Sequence, residues 1–298
     1  MKLLILGGEG MLGHKAFQVL GKRFDVWVTF REREPLWQQH PIYAELNRTQ
    51  TVGGVDATDL ASVKHALDLV RPDAVLNCIG IIKQRDEAKA AIPAIAVNAL
   101  FPHQLADLCQ AVGARLIHIS TDCVFSGQRG NYAESDAPDP ADLYGRSKLL
   151  GELDRRGALT LRTSMIGWEL KHRLGLVEWF AAQRGRTIKG YRRAIYSGLT
   201  TAVLAALIGD LIETQPRLEG LYHVASEPID KHTLLVRLRD ALGWRDVDIE
   251  ADDEFKCNRS LDGSRFQQET GWRAPQWDAM IQGLASEWDA YARWRQLK

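Results

Sequence analysis

The chain lacks an excess of charge of either sign, because 38 lysines and arginines stand against 38 aspartates and glutamates in 298 residues. Without a net field there is no general attraction to nucleic acid or to an anionic membrane, so any anionic ligand must be held by a local site. Long apolar runs are also missing, and none approaches the roughly 20 residues of a membrane span. The opening Met1-Lys2-Leu3-Leu4-Ile5-Leu6 imitates a signal peptide, but Gly7, Gly8 and Glu9 interrupt it at once. Cysteine is scarce: Cys78, Cys109, Cys123 and Cys257 show neither metal-ligand spacing nor a paired disulfide framework. No internal repeat, low-complexity tract or long linker is visible. These absences lead to the expectation of a reduced cytoplasmic protein with no metal, no nucleic acid and no membrane partner.

What is present begins at once. Lys2 to Leu6 is a buried-strand pattern that runs into Gly7-Gly8-Glu9-Gly10-Met11-Leu12-Gly13 and then a helical stretch from His14 to Lys22. Glycines at 7, 10 and 13 have the spacing of a dinucleotide-binding turn. The first permits the tight turn, the second lets a pyrophosphate approach the backbone, and the third lets helix pack on strand. Met11 and Leu12, inside this turn, are counted with the glycines as cofactor contacts, and the phosphates are expected to meet the N-terminus of the helix that follows.

A second pattern follows. Ser120-Thr121-Asp122 ends the apolar run Arg115–Ile119, and Tyr144-Gly145-Arg146-Ser147-Lys148 begins 22 residues after Asp122. A carbonyl that receives hydride becomes an alkoxide and needs a proton. A tyrosine supplies it only if its pKa falls from about 10 toward neutrality. A lysine ammonium one helical turn away lowers it by favouring the phenolate. The Thr121 hydroxyl is placed to hold the substrate oxygen. Both motifs, in this order, point to a nicotinamide-dependent enzyme.

From residue 1 to about 165 strand and helix patterns alternate. Strands are expected at Val26–Phe30, Asp73–Cys78, Arg115–Ile119 and Leu159–Arg162. Helices are expected at Asp59–Val70 with Asp59 as cap, at Ala90–Val112 with Pro93 marking a break or late start, and around Tyr144 and Lys148. Such alternation gives parallel strands with right-handed crossovers, hence an α/β doubly wound (Rossmann) sheet whose ligand meets the carboxyl ends of the strands. Gly7, Asn77 and Thr121 all fall at such ends, with Gly80 just beyond. After residue 167 helices are expected at about 175–185, 200–214, 230–242 and 277–296, joined by short strands such as Leu221–Val224. The division read from this is a dinucleotide-binding domain over 1–167, with 196–222 returning to it. A smaller mixed α/β substrate-binding lobe over 168–298 covers the carboxyl edge of the sheet.

In combination these segments resemble the extended short-chain dehydrogenases/reductases, in the branch of dTDP-4-dehydrorhamnose reductase-like nucleotide-sugar 4-ketoreductases. The resemblance rests on Gly7–Gly13, Ser120–Gly127, Gly130–Glu134, Tyr144–Glu152 and Leu161–Ser164. It extends to Gly198–Thr201, Gly220–His223, Arg259–Asp262 and Gly271-Trp272. It implies that Thr121, Tyr144 and Lys148 are the catalytic set, with Tyr144 protonating the sugar O4 and Lys148 bonding the nicotinamide ribose. It also places Ser120 at the cofactor. Two departures stand out. Cys123 replaces the tyrosine usual after Thr-Asp, and the glutamate of the dehydratase relatives is absent. A cysteine there resembles GDP-L-fucose synthase, which epimerises before reducing, and His172 lies in roughly the region of that enzyme's histidine partner. Cys123 reads either as packing or as half of an acid/base pair with His172.

The second strand ends in Phe30-Arg31-Glu32-Arg33. Arg31 is placed to fork onto a 2′-phosphate, which favours NADPH, while Glu32 keeps NADH open. Asp56 falls where relatives contact adenine, and Lys83 and Asn98 are weaker site candidates. Trp168, His172 and Arg259 are expected to hold the substrate's nucleotide diphosphate. The reading is an NADPH-dependent reductase of a nucleotide-linked 4-keto-6-deoxysugar for surface polysaccharide synthesis, and a possible homodimer. A bifunctional epimerase/reductase and a non-catalytic NADP-binding regulatory subunit are its alternatives.

Overall fold

The computed structural model describes residues 1–32 and 50–296, so Arg33 lies outside the described residues. Lys2–Leu6 forms β1, Met11–Leu20 α1, Asp25–Thr29 β2, Gln50–Val52 β3, Leu60–Val70 α2 and Ala74–Asn77 β4. Then come α3 (Ala91–Ala94), a π-helical stretch (Ile95–Leu100), α4 (Phe101–Val112), β5 (Arg115–Thr121), α5 (Leu143–Leu150) and β6 (Ala158–Thr163). These are followed by β7 (Met165–Ile166), α6 (Leu176–Ala181), β8 (Thr187–Tyr191), β9 (Ala194–Tyr196), β10 (Leu199–Thr200) and α7 (Thr201–Thr214). The chain closes with β11 (Gly220–His223), β12 (Ile229–Asp230), α8 (Lys231–Ala241), β13 (Asp248–Asp252) and β14 (Cys257–Asn258). Three further helices are α9 (Ser264–Thr270), α10 (Trp277–Ser286) and α11 (Trp288–Gln296).

Seven strands pair in the order β11-β6-β5-β4-β1-β2-β3. The pairs β1/β2, β1/β4, β2/β3 and β4/β5 are parallel, with Leu6 opposite Asn77 and Asn77 opposite His118. This is the doubly wound sheet that the alternation implied. Leu3, Leu4, Ile5 and Leu6 are all completely buried, as a strand covered on both faces requires. From β1 the chain winds outward to β2 and β3, then returns to β4 on the other side. The crevice at the carboxyl ends of β1 and β4 is therefore the switch point where ligands of such sheets bind.

The chain divides into two compact units. The first comprises Met1–Ser120, Asp142–Leu161 and Ala205–Leu221, and the second Thr121–Ala141, Arg162–Leu204 and Tyr222–Lys298. In the first unit Leu4, Leu6, Val75 and Leu116 of the sheet pack with Val63 and Leu67 of α2 and Phe101 and Leu105 of α4. Each such side chain contributes about 1.5–3 kcal/mol by leaving water. The Asp59 carboxylate caps α2 by accepting from the Ala61 N–H at 3.1 Å, as its position implied. The second unit is mixed: β7/β10, β8/β13 and β9/β14 are parallel, and β9/β12 is antiparallel.

Two expected helices differ in detail. The stretch expected at Ala90–Val112 starts as α3, with Pro93 in its first turn where no N–H partner is needed, and passes through the π-helical stretch before α4. The stretch expected at 277–296 is two helices parted at Glu287. That break lets Trp288 and Tyr291 turn onto Trp168, with ring centroids 5.0 and 6.1 Å away. Among the described residues, no helix is long and apolar enough to cross a membrane.

Candidate functional site

In the first unit the turn between β1 and α1 is pinned by β2. The Gly7 N–H donates to Thr29 Oγ1 at 3.2 Å and the Gly8 N–H to the Thr29 carbonyl at 2.9 Å. Gly7 has φ +83°, which an L side chain rarely adopts. A Cβ at Gly13 would lie 2.1 Å from the Gly7 carbonyl oxygen, so helix and strand approach as closely as the glycine spacing implied. Gly10 is extended and gives α1 no side-chain cap. A Cβ there would meet nothing nearer than 3.4 Å, so the backbone is open to an approaching group. Uncapped N–H groups at a helix start, with the dipole behind them, fit a pyrophosphate. Met11 is half-buried and Leu12 buried at this start.

Arg31 and Asp56 are brought together at the end of β2. The Arg31 Nε donates to Asp56 Oδ2 at 2.7 Å, with the arginine side chain 74% exposed. The Asp56 carboxylate also accepts from the Thr58 N–H and hydroxyl at 2.8 and 2.7 Å. Its pKa is lowered: burial acts to raise it, but those bonds and the Arg31 charge outweigh that. An exposed pair of this kind is worth about 0–1 kcal/mol, so the guanidinium can turn to a phosphate at little cost.

At the end of β4, Asn77 is buried and fixes the following turn, its Oδ1 accepting from the Ile79 N–H at 3.1 Å. Its Nδ2 donates to His118 Nδ1 at 3.1 Å, which puts the imidazole proton on Nε2. Gly80 is exposed just beyond. The π-helical stretch places Asn98 to face this loop. Asn98 accepts from the Ile81 N–H at 2.8 Å and donates to the Ile81 carbonyl at 3.0 Å and to Ser147 Oγ at 3.2 Å. Lys83 pairs with Asp142 at 2.7 Å, and Asp142 caps α5 through the Gly145 N–H. The two weaker candidates are thus structural neighbours of the helix that carries Tyr144 and Lys148.

Lys148 is buried, and its ammonium donates to the Ile119 carbonyl at 2.7 Å. Desolvation lowers its pKa to about 8, against the opposing charge of Glu152. Tyr144 is half-buried one turn earlier. Ser120 donates its hydroxyl proton to Glu152 Oε1 at 2.6 Å. Thr29, His118 and Asp142 join the site without having been candidates, and Glu152 enters from the end of the Tyr144–Glu152 segment, where it had no assigned role. Asp142 alone left a signal, an aspartate at a cap position before a helix.

In the second unit Thr121 starts a single 3₁₀ turn. Its Oγ1 accepts from the Cys123 N–H at 3.1 Å and donates to Asp122 Oδ1 at 3.2 Å. Burial pushes the Asp122 carboxyl up, while Arg259, Lys231 and bonds from Cys123 and Thr121 act against it. Arg259 donates to the Phe125 and Ser126 carbonyls at 2.9 and 3.3 Å, which fixes its guanidinium below this turn. Cys123 is half-buried, and His172 lies in an exposed turn with φ +68°. Trp168, expected at the substrate, is completely buried, and its indole N–H donates to the Leu284 carbonyl at 2.9 Å. It has no surface to offer a ligand, so here the apolar body of the residue decided its place. Among the described residues no cluster of His, Cys, Asp or Glu could hold a metal ion.

This turn, strand edge and Tyr-Lys helix define an extended short-chain dehydrogenase/reductase. The model of the RmlD substrate binding domain family matches residues 1–287, and the chain belongs to that family. It is an NAD(P)-dependent oxidoreductase. It is 29% identical to a probable low-salt glycan biosynthesis reductase, Agl14, of Haloferax volcanii over 76% of the chain and 75% of that protein. It is 34% identical to a dTDP-4-dehydrorhamnose reductase of Streptomyces griseus, but over half of the chain and only 43% of that protein. A crystal structure of dTDP-4-dehydrorhamnose reductase from Bacillus anthracis in complex with NADP superposes with a TM-score of 0.78, covering 96% of the chain and 99% of that structure at 22% identity.

Proposed function

We propose that the chain reduces the 4-keto group of a nucleotide-linked 4-keto-6-deoxysugar with NADPH, in the synthesis of a surface polysaccharide sugar. The observation that carries this reading is the buried Lys148 ammonium, tethered to the Ile119 carbonyl one helical turn beyond Tyr144. Tyr144 protonates O4 of the sugar, and Lys148 keeps its phenol acidic enough to do so. The Thr121 hydroxyl orients the carbonyl oxygen. The nicotinamide cofactor supplies the hydride. Gly7, Gly10, Met11, Leu12 and Gly13 hold its pyrophosphate, while Asn77, Gly80 and Ser120 line its place along the strand ends. Arg31 takes the 2′-phosphate when it leaves Asp56, and Asp56 keeps the adenine side. Arg259 contributes charge on the substrate side. In this reading Cys123 packs and neither it nor His172 transfers a proton, and the reductase names of the relatives favour this over epimerisation.

The test is Tyr144→Phe. A positioned general acid contributes about 10²–10⁴-fold, so turnover of a dTDP-4-keto-6-deoxysugar should fall by about two orders of magnitude or more, with the NADPH dissociation constant nearly unchanged. Turnover near the wild-type rate would remove Tyr144 as proton donor.

A further inference from the structure

Two tethers join the end of α5 to adjacent residues of β5. The Lys148 ammonium donates to the Ile119 carbonyl at 2.7 Å, and Glu152 Oε1 accepts the Ser120 hydroxyl proton at 2.6 Å. Lys148 and Glu152 are four residues apart across the helix end at Gly151. Gly151 itself is pressed against the π-helical stretch, since a Cβ there would lie 1.9 Å from the Asn98 carbonyl oxygen. The helix end is therefore fixed, and ammonium and carboxylate are each tied to adjacent residues of β5.

The titratable groups placed around Lys148 by sequence or by electrostatic effect are Tyr144 one turn earlier on α5, Glu152 beyond its end and His118 on β5. His118 is completely buried, and burial together with the Lys148 charge holds its pKa well below the ordinary value, so it stays neutral. Its Nδ1 accepts from Asn77, and Nε2 has no hydrogen-bond partner. A neutral imidazole offers Lys148 no compensating charge. Among the described residues, Glu152 is the anion that acts on it.

We propose that Glu152, held by Ser120, is a positioning residue that keeps Lys148 in its ammonium form at physiological pH and so keeps Tyr144 competent as an acid. This rests on the assignment of Tyr144 and Lys148 given above. Without the carboxylate, burial alone decides the lysine, and a larger share of it loses its proton near neutrality. A deprotonated Lys148 no longer favours the phenolate, and the proton donor weakens without any change in its position.

The experiment follows Lys148 directly in the protein without substrate. Lysine labelled with ¹³C at Cε is titrated by NMR, with the Lys148 signal assigned by its loss in Lys148→Met. Glu152→Gln keeps an acceptor for Ser120 and removes the charge, and its Lys148 midpoint is expected about one pH unit below wild type. Glu152→Asp keeps the charge and is expected to stay near the wild-type midpoint. The alkaline limb of kcat in Glu152→Gln moves down by the same interval. An unchanged Lys148 midpoint in Glu152→Gln, or an equal fall in Glu152→Asp, overturns the proposal. Glu152→Met serves the same comparison where Gln does not fold. Because the titration needs no turnover, its outcome is separate from that of Tyr144→Phe, which tests the underlying assignment.

Discussion

At the scale of single residues, the site holds its chemistry at the expense of stability. Lys148 has a folded pKa of about 8 against an ordinary 10.5. Because the folded value is depressed, the cost of burying the ammonium is fully present below pH 8 and lifts as pH rises toward 10.5. Lys148→Met removes that cost. Its stability relative to wild type, measured by urea denaturation, should therefore fall by about 3 kcal/mol between pH 7 and 10.5. A pH-independent difference would mean that the ammonium is better solvated than its burial implies. Arg31 is the opposite case, an exposed charge in a weak pair. Arg31→Ala should weaken NADPH binding by about 1.5–3 kcal/mol and leave NADH nearly unaffected, as two dissociation constants will decide. Equal losses would show that it does not read the 2′-phosphate.

At the scale of elements, close backbone approach positions the helix that carries Tyr144. Gly151→Ala puts a methyl group against the Asn98 carbonyl, and overpacking of this kind costs about 1–3 kcal/mol. The expected result is a lower urea midpoint with an unchanged m-value, and turnover that falls more than stability alone explains because α5 shifts. The elements themselves were legible because their signals are local. Leu3–Leu6 is apolar on both faces, Asp59 caps, and the glycines keep their spacing. What was not legible depends on register between distant segments. Asn77 meets His118 only because β4 and β5 align them across 41 residues, and no periodicity encodes that. Arg31 and Asp56 were each read as cofactor contacts, but their pairing depends on how β2 and the segment after β3 end together. Trp168 misled because a tryptophan suits a ligand face and a core equally well, and only the packing of α11 decides between them.

On the scale of the whole molecule, the two units are unevenly labelled. Seven of the nine tryptophans belong to the second unit, so intrinsic fluorescence reports mainly on it. There Arg295 pairs with Glu178, whose side chain is 1% exposed, and lies 5.3 Å from the ring centres of both Trp168 and Trp288. Glu178 also accepts the Glu169 N–H at 2.8 Å, and Glu169 in turn holds the Gly175 N–H at 2.5 Å. Arg295→Ala strands a buried carboxylate, which costs about 3–5 kcal/mol. Fluorescence-detected unfolding should move to clearly lower urea, and an unmoved transition would show that Glu178 takes up a proton instead.

The π-helical stretch has one more consequence, in the arithmetic of insertions and deletions. Phe101 bonds back to Ala96, five residues earlier, so this turn contains one residue more than a regular helix has room for. Each residue turns a helix by about 100°. Losing one residue from within the stretch would close the surplus turn to a regular helix. Every later residue inside the former bulge would shift by about that angle on the helix surface, Asn98 among those affected. Asn98 lies inside the surplus turn, so the loop it holds at Ile81 depends on the residue count as well as on its own amide. Substitutions at the exposed Ile95 and Leu100 are therefore the mild changes here, and loss of the Asn98 amide or a single-codon deletion is the severe one.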